Sequence, residues 1–280
     1  MKVLKNIKGI VFDWAGTLID YGCLAPTAVF VEVFKKNGIE ISMQEARGPM
    51  GIAKKDHVRE LLKLDTVASQ WDHVYGRGVT EEDVVKLYSQ LTPALIDIIP
   101  QYAAVIPGVK ELFSELRNSN IKIGSSTGYV TEMMASVVSA ASKQGILPDS
   151  VVASDEVPEG RPAPFMIYRN ALNLGVFPIH EMIKVGDTVA DVKEGLNAGM
   201  WVVGYTKCGN EVGYSEEEII NVPEDELTAR IKQAEEKLRT AGAHFVVEGP
   251  WELMTVLNEI DYLLEKGINP IEYIQHEPAR

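Results

Sequence analysis

Short runs of apolar residues alternate with longer amphipathic segments through most of the chain. The first run, residues 8–12, is rich in β-branched side chains and predicts a buried strand that ends at Asp13. Similar runs predict further strands at residues 121–126, 151–154, 182–186, 200–205 and 244–249. The segments between them have the spacing of helices. Strands that alternate with helices indicate an α/β fold, a doubly wound parallel sheet of the Rossmann-like type.

Residues 22–100 interrupt this alternation because they contain no strand pattern. Apolar positions at helical spacing predict a helix over residues 26–37, ending at Gly38, and helices over 42–66 and 80–99. The polar stretch WDHVYGRG separates the last two. We therefore predict a core domain formed by residues 1–21 and 101–280, with an all-helical cap domain, residues 22–100, inserted after the first strand.

Two local signals in the predicted core mark helix ends. The helix that follows Pro162 and Pro164 should end at Gly175, since glycine readily adopts the left-handed conformation of a helix C-terminus. Ser215 and Glu218 have the spacing of a capping box, which predicts the start of a helix there.

Composition and charge narrow the possible partners. The chain has 280 residues, 46% of them hydrophobic, which is ample material for a buried core. It carries 40 acidic residues against 27 lysines and arginines, a formal net charge of −13. A negative field of this size argues against nucleic acid and anionic membranes as partners. It would also repel an anionic substrate, unless a metal ion or a local cluster of cations offsets it.

The two cysteines and the N-terminal segment bear on location. Cys23 and Cys208 are too few for a disulfide framework in a chain of this length, which indicates a reducing compartment. The first apolar run is too short for a secretory signal. No stretch approaches the roughly 20 apolar residues of a membrane span. We therefore expect a cytoplasmic protein.

Several predicted strands are followed by residues of complementary chemistry: Asp13, Ser126-Thr127-Gly128, Asp155 with the nearby Arg161, and Asp187. Taken singly, each is an ordinary turn or cap residue. Ligands of open α/β sheets bind at the carboxyl ends of the strands, however, so these residues should share one rim. A carboxylate there can act as a nucleophile and can also bind a hard cation.

The remaining features of these motifs suit a phosphorylated or phosphonylated ligand. Asp187 and Asp191 are spaced so that both can lie on one side of a helix start, near a metal ion. The hydroxyl of Thr127 could donate to a phosphoryl oxygen. Arg161, held between Gly160 and Pro162, could bind an anion.

In this order and with these gaps, the motifs resemble those of the haloacid-dehalogenase superfamily, which has an Asp nucleophile, a Ser or Thr, a Lys or Arg, and a late acidic motif. The resemblance covers residues 1–22 and 100–280. It implies a hydrolase that depends on Mg²⁺, with Asp13 as the nucleophile. The family's metal ligands fall on Asp13, the backbone carbonyl of Ala15, and Asp187.

Ala15 departs from the pattern of the family's phosphatases. They usually have a second Asp at this position, two residues after the nucleophile, which acts as general acid and base. Alanine cannot protonate a departing alkoxide, so ordinary ester hydrolysis is disfavoured. The leaving group must be stabilised in another way.

The predicted cap offers Lys54 for this purpose. On a helix, Lys54 shares a face with Met50, His57, Val58 and Leu61, whereas Lys55 lies on the face of Arg59. Most lysines are solvated surface residues, and that alternative stays open. A lysine among apolar neighbours loses solvation, so its pKa falls and its neutral amine can attack a carbonyl.

Five segments resemble the phosphonoacetaldehyde hydrolase family, a branch of the same superfamily: VFDWAGTLIDYGCLAP, PMGIAKKDHVR, IGSSTGYVTEMM, GRPAPFMIYRNALNLGV and IKVGDTVADVKEGLNAGMW. The resemblance implies cleavage of a carbon–phosphorus bond through a Schiff base on Lys54 and an aspartyl phosphate on Asp13. It also implies homodimers formed through the cap. Thr127 and Arg161 would bind the phosphonyl group. The remaining implied residues support the metal site, line the pocket or move protons: Asp191, His57, Met50, Cys23 and Tyr129.

Other functions remain to be weighed. A phosphomonoesterase of the same fold would need no Schiff base, and Ala15 argues against it. A non-catalytic binding protein would not need Asp13, Thr127, Arg161 and Asp187. Cys23 as a nucleophile is a third possibility, although a buried structural thiol is more common.

Overall fold

A six-stranded parallel sheet forms the centre of the computed structural model, which describes residues 4–276, with side chains through residue 273. The strands are β1 (Gly9–Phe12), β2 (Lys122–Ser126), β3 (Ser150–Val152), β4 (Met182–Gly186), β5 (Trp201–Tyr205) and β6 (Phe245–Val247). Their order is β3-β2-β1-β4-β5-β6, and every pairing is parallel. The predicted doubly wound sheet is therefore confirmed.

Five helices lie between β1 and the remainder of the sheet. They are α1 (Leu24–Lys36), α2 (Met43–Arg47), α3 (Lys54–Leu62), α4 (Asp65–Tyr75) and α5 (Glu81–Ile98). We call residues 22–100 the helical insertion. No strand occurs within it, as the sequence predicted.

The other helices connect and flank the strands. They are α6 (Val109–Asn118), α7 (Thr131–Lys143), α8 (Phe165–Leu174), α9 (Val189–Ala198), α10 (Glu216–Ile219), α11 (Glu224–Ala241), α12 (Pro250–Glu265) and α13 (Pro270–His276). Short 3₁₀ helices occur at Ile99–Gln101, Ser154–Glu156 and Ile179–Glu181. None of the helices described here is long and apolar enough to cross a lipid bilayer.

The topology places a ligand site beside β1. The chain runs from β1 outward to β2 and β3, and then returns to β4 on the other side of β1. Such a reversal opens a crevice at the carboxyl ends of the two neighbouring strands. Phe12 and Val185 are in register, and the backbone N–H of Asp13 donates to the Val185 carbonyl. Residues that directly follow β1 and β4 are thereby brought together.

The predicted helix over residues 42–66 was wrong in its middle. Residues 48–53 form a loop between α2 and α3, and Gly51 has a φ of 94°, which no regular helix contains. The stretch WDHVYGRG, predicted as a polar separator, begins inside a helix, because α4 extends to Tyr75. Val67 and Trp71 are fully buried in α4, so packing stabilises this helix. The polar residues of the stretch had hidden its helical pattern in the sequence.

The helices predicted in the second half of the chain were only partly correct. Gly175 ends α8 with a φ of 65°, and Ser215 forms the predicted capping box with Glu218 at the start of α10. Helix α11 was not predicted. It is rich in charge, and its buried residues are only Ala234 and Leu238, so its sequence carries little helical periodicity.

Candidate active site

Asp13 and Asp187 face each other across the crevice between β1 and β4. Gly16 makes their approach possible: its φ is 84°, and a Cβ at this position would lie 2.3 Å from Oδ2 of Asp187. Thr17 donates its hydroxyl to Oδ1 of Asp187 at 2.9 Å, and the backbone N–H of Asn210 donates to Oδ2 at 2.8 Å. The Asp187 carboxylate is thus held from both sides and shielded from solvent.

Three buried carboxylates form the acidic part of the site. One oxygen each of Asp13, Asp187 and Asp191 lies within 4.8 Å of the others. Burial, followed by repulsion from Asp13 and Asp191, raises the pKa of Asp187 well above its ordinary value. Burial and the charge of Asp191 likewise raise the pKa of Asp13, although Arg161 and Lys184 oppose the shift. A divalent cation would relieve this repulsion, and carboxylate oxygens are the ligands that Mg²⁺ prefers.

Asp191 differs from the other two because it forms ion pairs with two cations. Its Oδ1 lies 2.9 Å from both Arg161 and Lys184, and its Oδ2 accepts from the hydroxyl of Thr188 at 2.5 Å. Burial alone would raise the pKa of Asp191, but these two cations outweigh it and hold the pKa below its ordinary value. Asp13 and Asp187 are therefore the better candidates for direct metal ligands.

Arg161 connects the acidic groups to the strand ends. Its guanidinium contacts Asp13 at 2.8 Å, Asp191 at 2.9 Å and Glu194 at 2.9 Å. It also donates to the carbonyl of Ser126 at 2.6 Å. The side chain is fully buried, so each of these charge-assisted bonds is protected from water. Arg161 is fixed in position at the bottom of the site.

Sequence reasoning missed two ionisable residues of this network, Lys184 and Glu194, although it singled out Ser126 at the end of its strand. Lys184 lies in the middle of β4, fully buried, with its Nζ 2.9 Å from Asp191 and 3.4 Å from Glu194. The hydroxyl of Ser126 joins them, since it lies 3.0 Å from Lys184 and 2.9 Å from Glu194. The available signal was a charged residue inside the apolar run MIKVG, because such a residue must find a partner if the strand is buried.

Lys54 is the first residue of α3, and its side chain is buried against apolar and aromatic groups. Its Nζ lies 3.6 Å from Sδ of Met50, 5.0 Å from the ring centre of Tyr129 and 5.9 Å from that of Phe30. Burial lowers the pKa of Lys54, although Cys23 and Asp13 act in the opposite direction. The amine is therefore easier to deprotonate than that of a surface lysine.

One small cavity brings most of the predicted residues together. It is lined by Asp13, Ala15, Cys23, Pro26, Met50, Gly51, Lys54, Thr127, Gly128, Tyr129, Arg161 and Thr188. Its volume is about 20 Å³, enough for about one water molecule. Asp13 and Lys54, which are far apart in the sequence and belong to different parts of the fold, thus line the same cavity.

Two predicted residues belong neither to this cavity nor to the group of buried carboxylates beside it. His57 does not line this cavity: its Nε2 donates to the Ala46 carbonyl at 2.9 Å, and its ring stacks on Phe30 at 3.8 Å. Burial, with the charge of Lys54, holds the pKa of His57 well below its ordinary value. Asp155 accepts from the backbone N–H of Thr131 at 2.8 Å and caps α7.

The loop of residues 48–53 closes the cavity from the side of the helical insertion. The carbonyl of Gly51 accepts from Arg161 at 3.1 Å. A Cβ on Gly128 would lie 2.3 Å from the carbonyl oxygen of Ile52, and a Cβ on Gly51 would lie 2.2 Å from the hydroxyl of Thr188. The insertion thus packs so closely on the core that neither glycine leaves room for a side chain.

Comparison with known proteins agrees with this geometry. The family model of the haloacid dehalogenase-like hydrolases matches residues 7–199. Phosphonoacetaldehyde hydrolase of Bacillus cereus is 49% identical over 91% of this chain and 97% of its own length. A phosphonoacetaldehyde hydrolase-like protein of Syntrophobacter fumaroxidans is 47% identical over 94% of this chain and 95% of its own.

A solved structure supports the same assignment. The crystal structure of a phosphonoacetaldehyde hydrolase-like protein from Oleispira antarctica superposes with a TM-score of 0.93 at 40% identity, covering 96% of this chain and 98% of that one. The chain therefore belongs to the haloacid dehalogenase-like hydrolases and, within them, to the phosphonoacetaldehyde hydrolase family.

Proposed function

We propose that this protein hydrolyses the carbon–phosphorus bond of phosphonoacetaldehyde, giving acetaldehyde and phosphate. The observation that carries the proposal is the shared cavity of Asp13 and Lys54, a carboxylate nucleophile and a buried amine. The relatives named for this activity, 48–49% identical over most of the chain, support it.

Mg²⁺ is the proposed cofactor. Asp13, Asp187 and the backbone carbonyl of Ala15 would hold it, and the close approach of the buried carboxylate oxygens of Asp13, Asp187 and Asp191 supports a cation at this position. When bound, it would supply positive charge that offsets the negative charge of the phosphonyl group. Together with Arg161 and Lys54, it would offset the repulsion between an anionic substrate and the strong negative charge of the whole chain.

Lys54 begins the reaction. Its neutral amine adds to the aldehyde carbon, and loss of water gives an imine, which takes up a proton to become an iminium. Burial favours the neutral amine at the start. The iminium withdraws electrons from the carbon bonded to phosphorus and so makes that carbon a better leaving group. This electron sink replaces the general acid that Ala15 cannot provide.

Asp13 then attacks phosphorus through a carboxylate oxygen. The carbon–phosphorus bond breaks, its electron pair enters the enamine on Lys54, and an aspartyl phosphate remains. Arg161 and Thr127 line the same cavity and would hold the phosphonyl oxygens. Water hydrolyses the acyl phosphate to phosphate, and the enamine is protonated at carbon. Hydrolysis of the resulting iminium releases acetaldehyde and restores the Lys54 amine.

A phosphomonoesterase of the same fold is the alternative. It would use Asp13 in the same way but would leave Lys54 without a chemical role. Ala15 lines the cavity at the position from which a second aspartate would protonate an alkoxide. The burial of a lysine at this point, costly for a merely structural residue, favours the phosphonate reaction.

The test is product release by the purified protein. Phosphonoacetaldehyde with Mg²⁺ should give equal amounts of phosphate and acetaldehyde, and excess EDTA should stop the reaction after metal removal has been verified. A panel of phosphate monoesters serves as the comparison. Fast hydrolysis of the esters without carbon–phosphorus cleavage would establish the alternative, and full turnover in EDTA would contradict the metal site.

We further propose how the molecule is organised. Residues 1–21 and 101–280 would act as the core domain and the helical insertion as a cap that moves over it, with two copies pairing through their caps as the family resemblance implies. The insertion has exposed apolar side chains at Met43, Val74 and Val85 that could contribute to such an interface. Gel filtration with light scattering would test the dimer.

The two free cysteines support a cytoplasmic location.

A further inference from the structure

Arg47 joins the helical insertion to the core beside the proposed metal site. It is the last residue of α2, and its Nη1 donates to the carbonyls of Gly22 at 2.8 Å and of Asn210 at 3.1 Å. Its Nη2 donates to the Gly213 carbonyl at 3.0 Å. In return, the side-chain amide of Asn210 donates to the Arg47 carbonyl at 3.2 Å. The Arg47 side chain thus binds both Gly22, the first residue of the helical insertion, and the core loop of residues 209–213.

Asn210 extends this contact to Asp187. Asn210 is buried, and its backbone N–H donates to Oδ2 of Asp187 at 2.8 Å. The neighbouring Gly209 packs so closely that a Cβ there would lie 2.6 Å from Cβ of Asp187. Any displacement of the 209–213 loop must therefore change how the Asp187 carboxylate is held.

The loop is shaped to receive an arginine. Gly213 has a φ of 70°, and a Cβ at this position would lie 2.7 Å from Cζ of Arg47, so a larger residue would displace the guanidinium. The planar guanidinium presents several donors in fixed directions, which lets it bond three carbonyls at once. A lysine has the charge but not this geometry.

We propose that Arg47 is a positioning residue for the metal site: it clamps the 209–213 loop so that Asn210 orients the Asp187 carboxylate toward Mg²⁺. The orientation of the Asp187 carboxylate thereby depends on the position of the helical insertion. This inference rests on the proposed function, because it takes Asp187 to be a metal ligand. Arg47 lies outside the residues that line the cavity, and its effect passes through Asn210.

Binding of Mn²⁺, followed by the loss of the free ion's paramagnetic resonance signal, provides the test. The full-length chain is compared with Arg47→Ala, Arg47→Lys and Asn210→Ala, the last of which keeps the backbone N–H. We expect both Arg47 variants to bind Mn²⁺ about 10-fold more weakly, in the range found for groups that support metal ligands. Arg47→Ala and Asn210→Ala should not be additive, because they remove parts of one contact.

Two controls separate this role from a general structural one. Arg59→Ala removes another arginine of the insertion, one that pairs with Asp56 and Glu81 and does not reach the core, so Mn²⁺ affinity should not change. Asp187→Asn should abolish the tight site. In the Arg47 variants, excess Mg²⁺ should restore much of kcat, which it would not do if the fold were damaged. Arg47→Lys decides the matter if Arg47→Ala does not fold.

The outcomes are distinguishable. Wild-type Mn²⁺ binding that is lost in Asp187→Asn but unchanged in both Arg47 variants would overturn the inference and leave the metal site intact. Absence of Mn²⁺ binding by the wild-type chain, or unchanged binding in Asp187→Asn, would overturn both the inference and the proposed metal site.

Discussion

Lys54 and Lys55 are neighbours in the chain but lie in opposite environments. Lys54 is 4% exposed and faces the cavity, whereas the side chain of Lys55 is 43% exposed and pairs with Glu81 at 3.3 Å. The two residues are therefore a natural pair for testing the Schiff base. Lys54→Arg should abolish carbon–phosphorus cleavage, because guanidinium keeps its proton near neutral pH and forms no imine. Lys55→Arg should keep most of the activity.

The covalent adduct can be located directly. Borohydride added during turnover should reduce the imine to a secondary amine and inactivate the enzyme, and peptide mapping should place the modification on Lys54. Modification of Lys55, or continued turnover without any modification, would refute the assignment.

Asp13→Asn should separate the two halves of the reaction. The amide cannot attack phosphorus, so phosphate release should fall by at least about 1,000-fold. Imine formation on Lys54 does not need Asp13 as a nucleophile, so borohydride should still label Lys54 in this variant. Near-normal phosphate release, with deamidation to aspartate ruled out by mass spectrometry, would contradict the role of Asp13.

Lys54→Met should yield an inactive protein that is more stable than the wild type. Burial disfavours the ammonium form, and methionine fits beside Met50 without that cost, so we expect a gain on the order of 1 kcal/mol at neutral pH. The sign of the pH dependence follows from the lowered pKa of Lys54. The free-energy cost of burying the charged Lys54 amine is fully present below that pKa. It disappears as the pH rises toward the ordinary value of 10.5.

Thermal unfolding at fixed Mg²⁺ concentration across this pH range checks the prediction. The difference between Lys54→Met and the wild type should narrow as the pH rises. A stability difference that does not change with pH, or a variant less stable than the wild type, would show that burial of the Lys54 amine does not destabilise the fold.

Gly128→Ala should impair activity by keeping the insertion away from the core. The added Cβ would lie 2.3 Å from the Ile52 carbonyl, and the 48–53 loop must retreat to make room. A displacement of this size moves Lys54 relative to Asp13, so kcat/KM should fall by about 100-fold with little change in the unfolding temperature. Gly78→Ala, where a Cβ meets nothing within 4 Å, is the matched control. Equal activities of the two variants would argue against this interpretation.

Lys184→Met should destabilise the core. It removes a buried partner of Asp191 and Glu194, and Arg161 alone would then have to balance both carboxylates and Asp13. Leaving a buried charge uncompensated costs about 3–5 kcal/mol in the free energy of unfolding. Chemical denaturation would measure this, with Lys193→Met on the adjoining α9 as a control. A loss below about 1 kcal/mol would show that the network tolerates the missing charge.

The sequence was informative where a local pattern determines the structure. The short apolar runs predicted all six strands to within about two residues, and strand ends then located Asp13 and Asp187 on one rim without knowledge of the fold. Lys54 could be singled out because its helical neighbours are apolar.

What the sequence concealed depends on contacts between distant segments. Lys184 contacts Glu194 and Ser126, and although a lysine inside an apolar strand indicates that a partner exists, no local pattern identifies which residues the partners are. The break at residues 48–53 likewise follows from contacts with Arg161 and Gly128, which hold the loop in its irregular path.

The small volume of the cavity has a consequence for the proposed reaction. A space for about one water molecule is too small for phosphonoacetaldehyde, so we expect the 48–53 loop to move away from the core when substrate enters and products leave. Each catalytic cycle would then include an outward and a return movement of the helical insertion, and both movements would displace solvent. Where this movement limits the rate, turnover should fall as the viscosity of the medium rises.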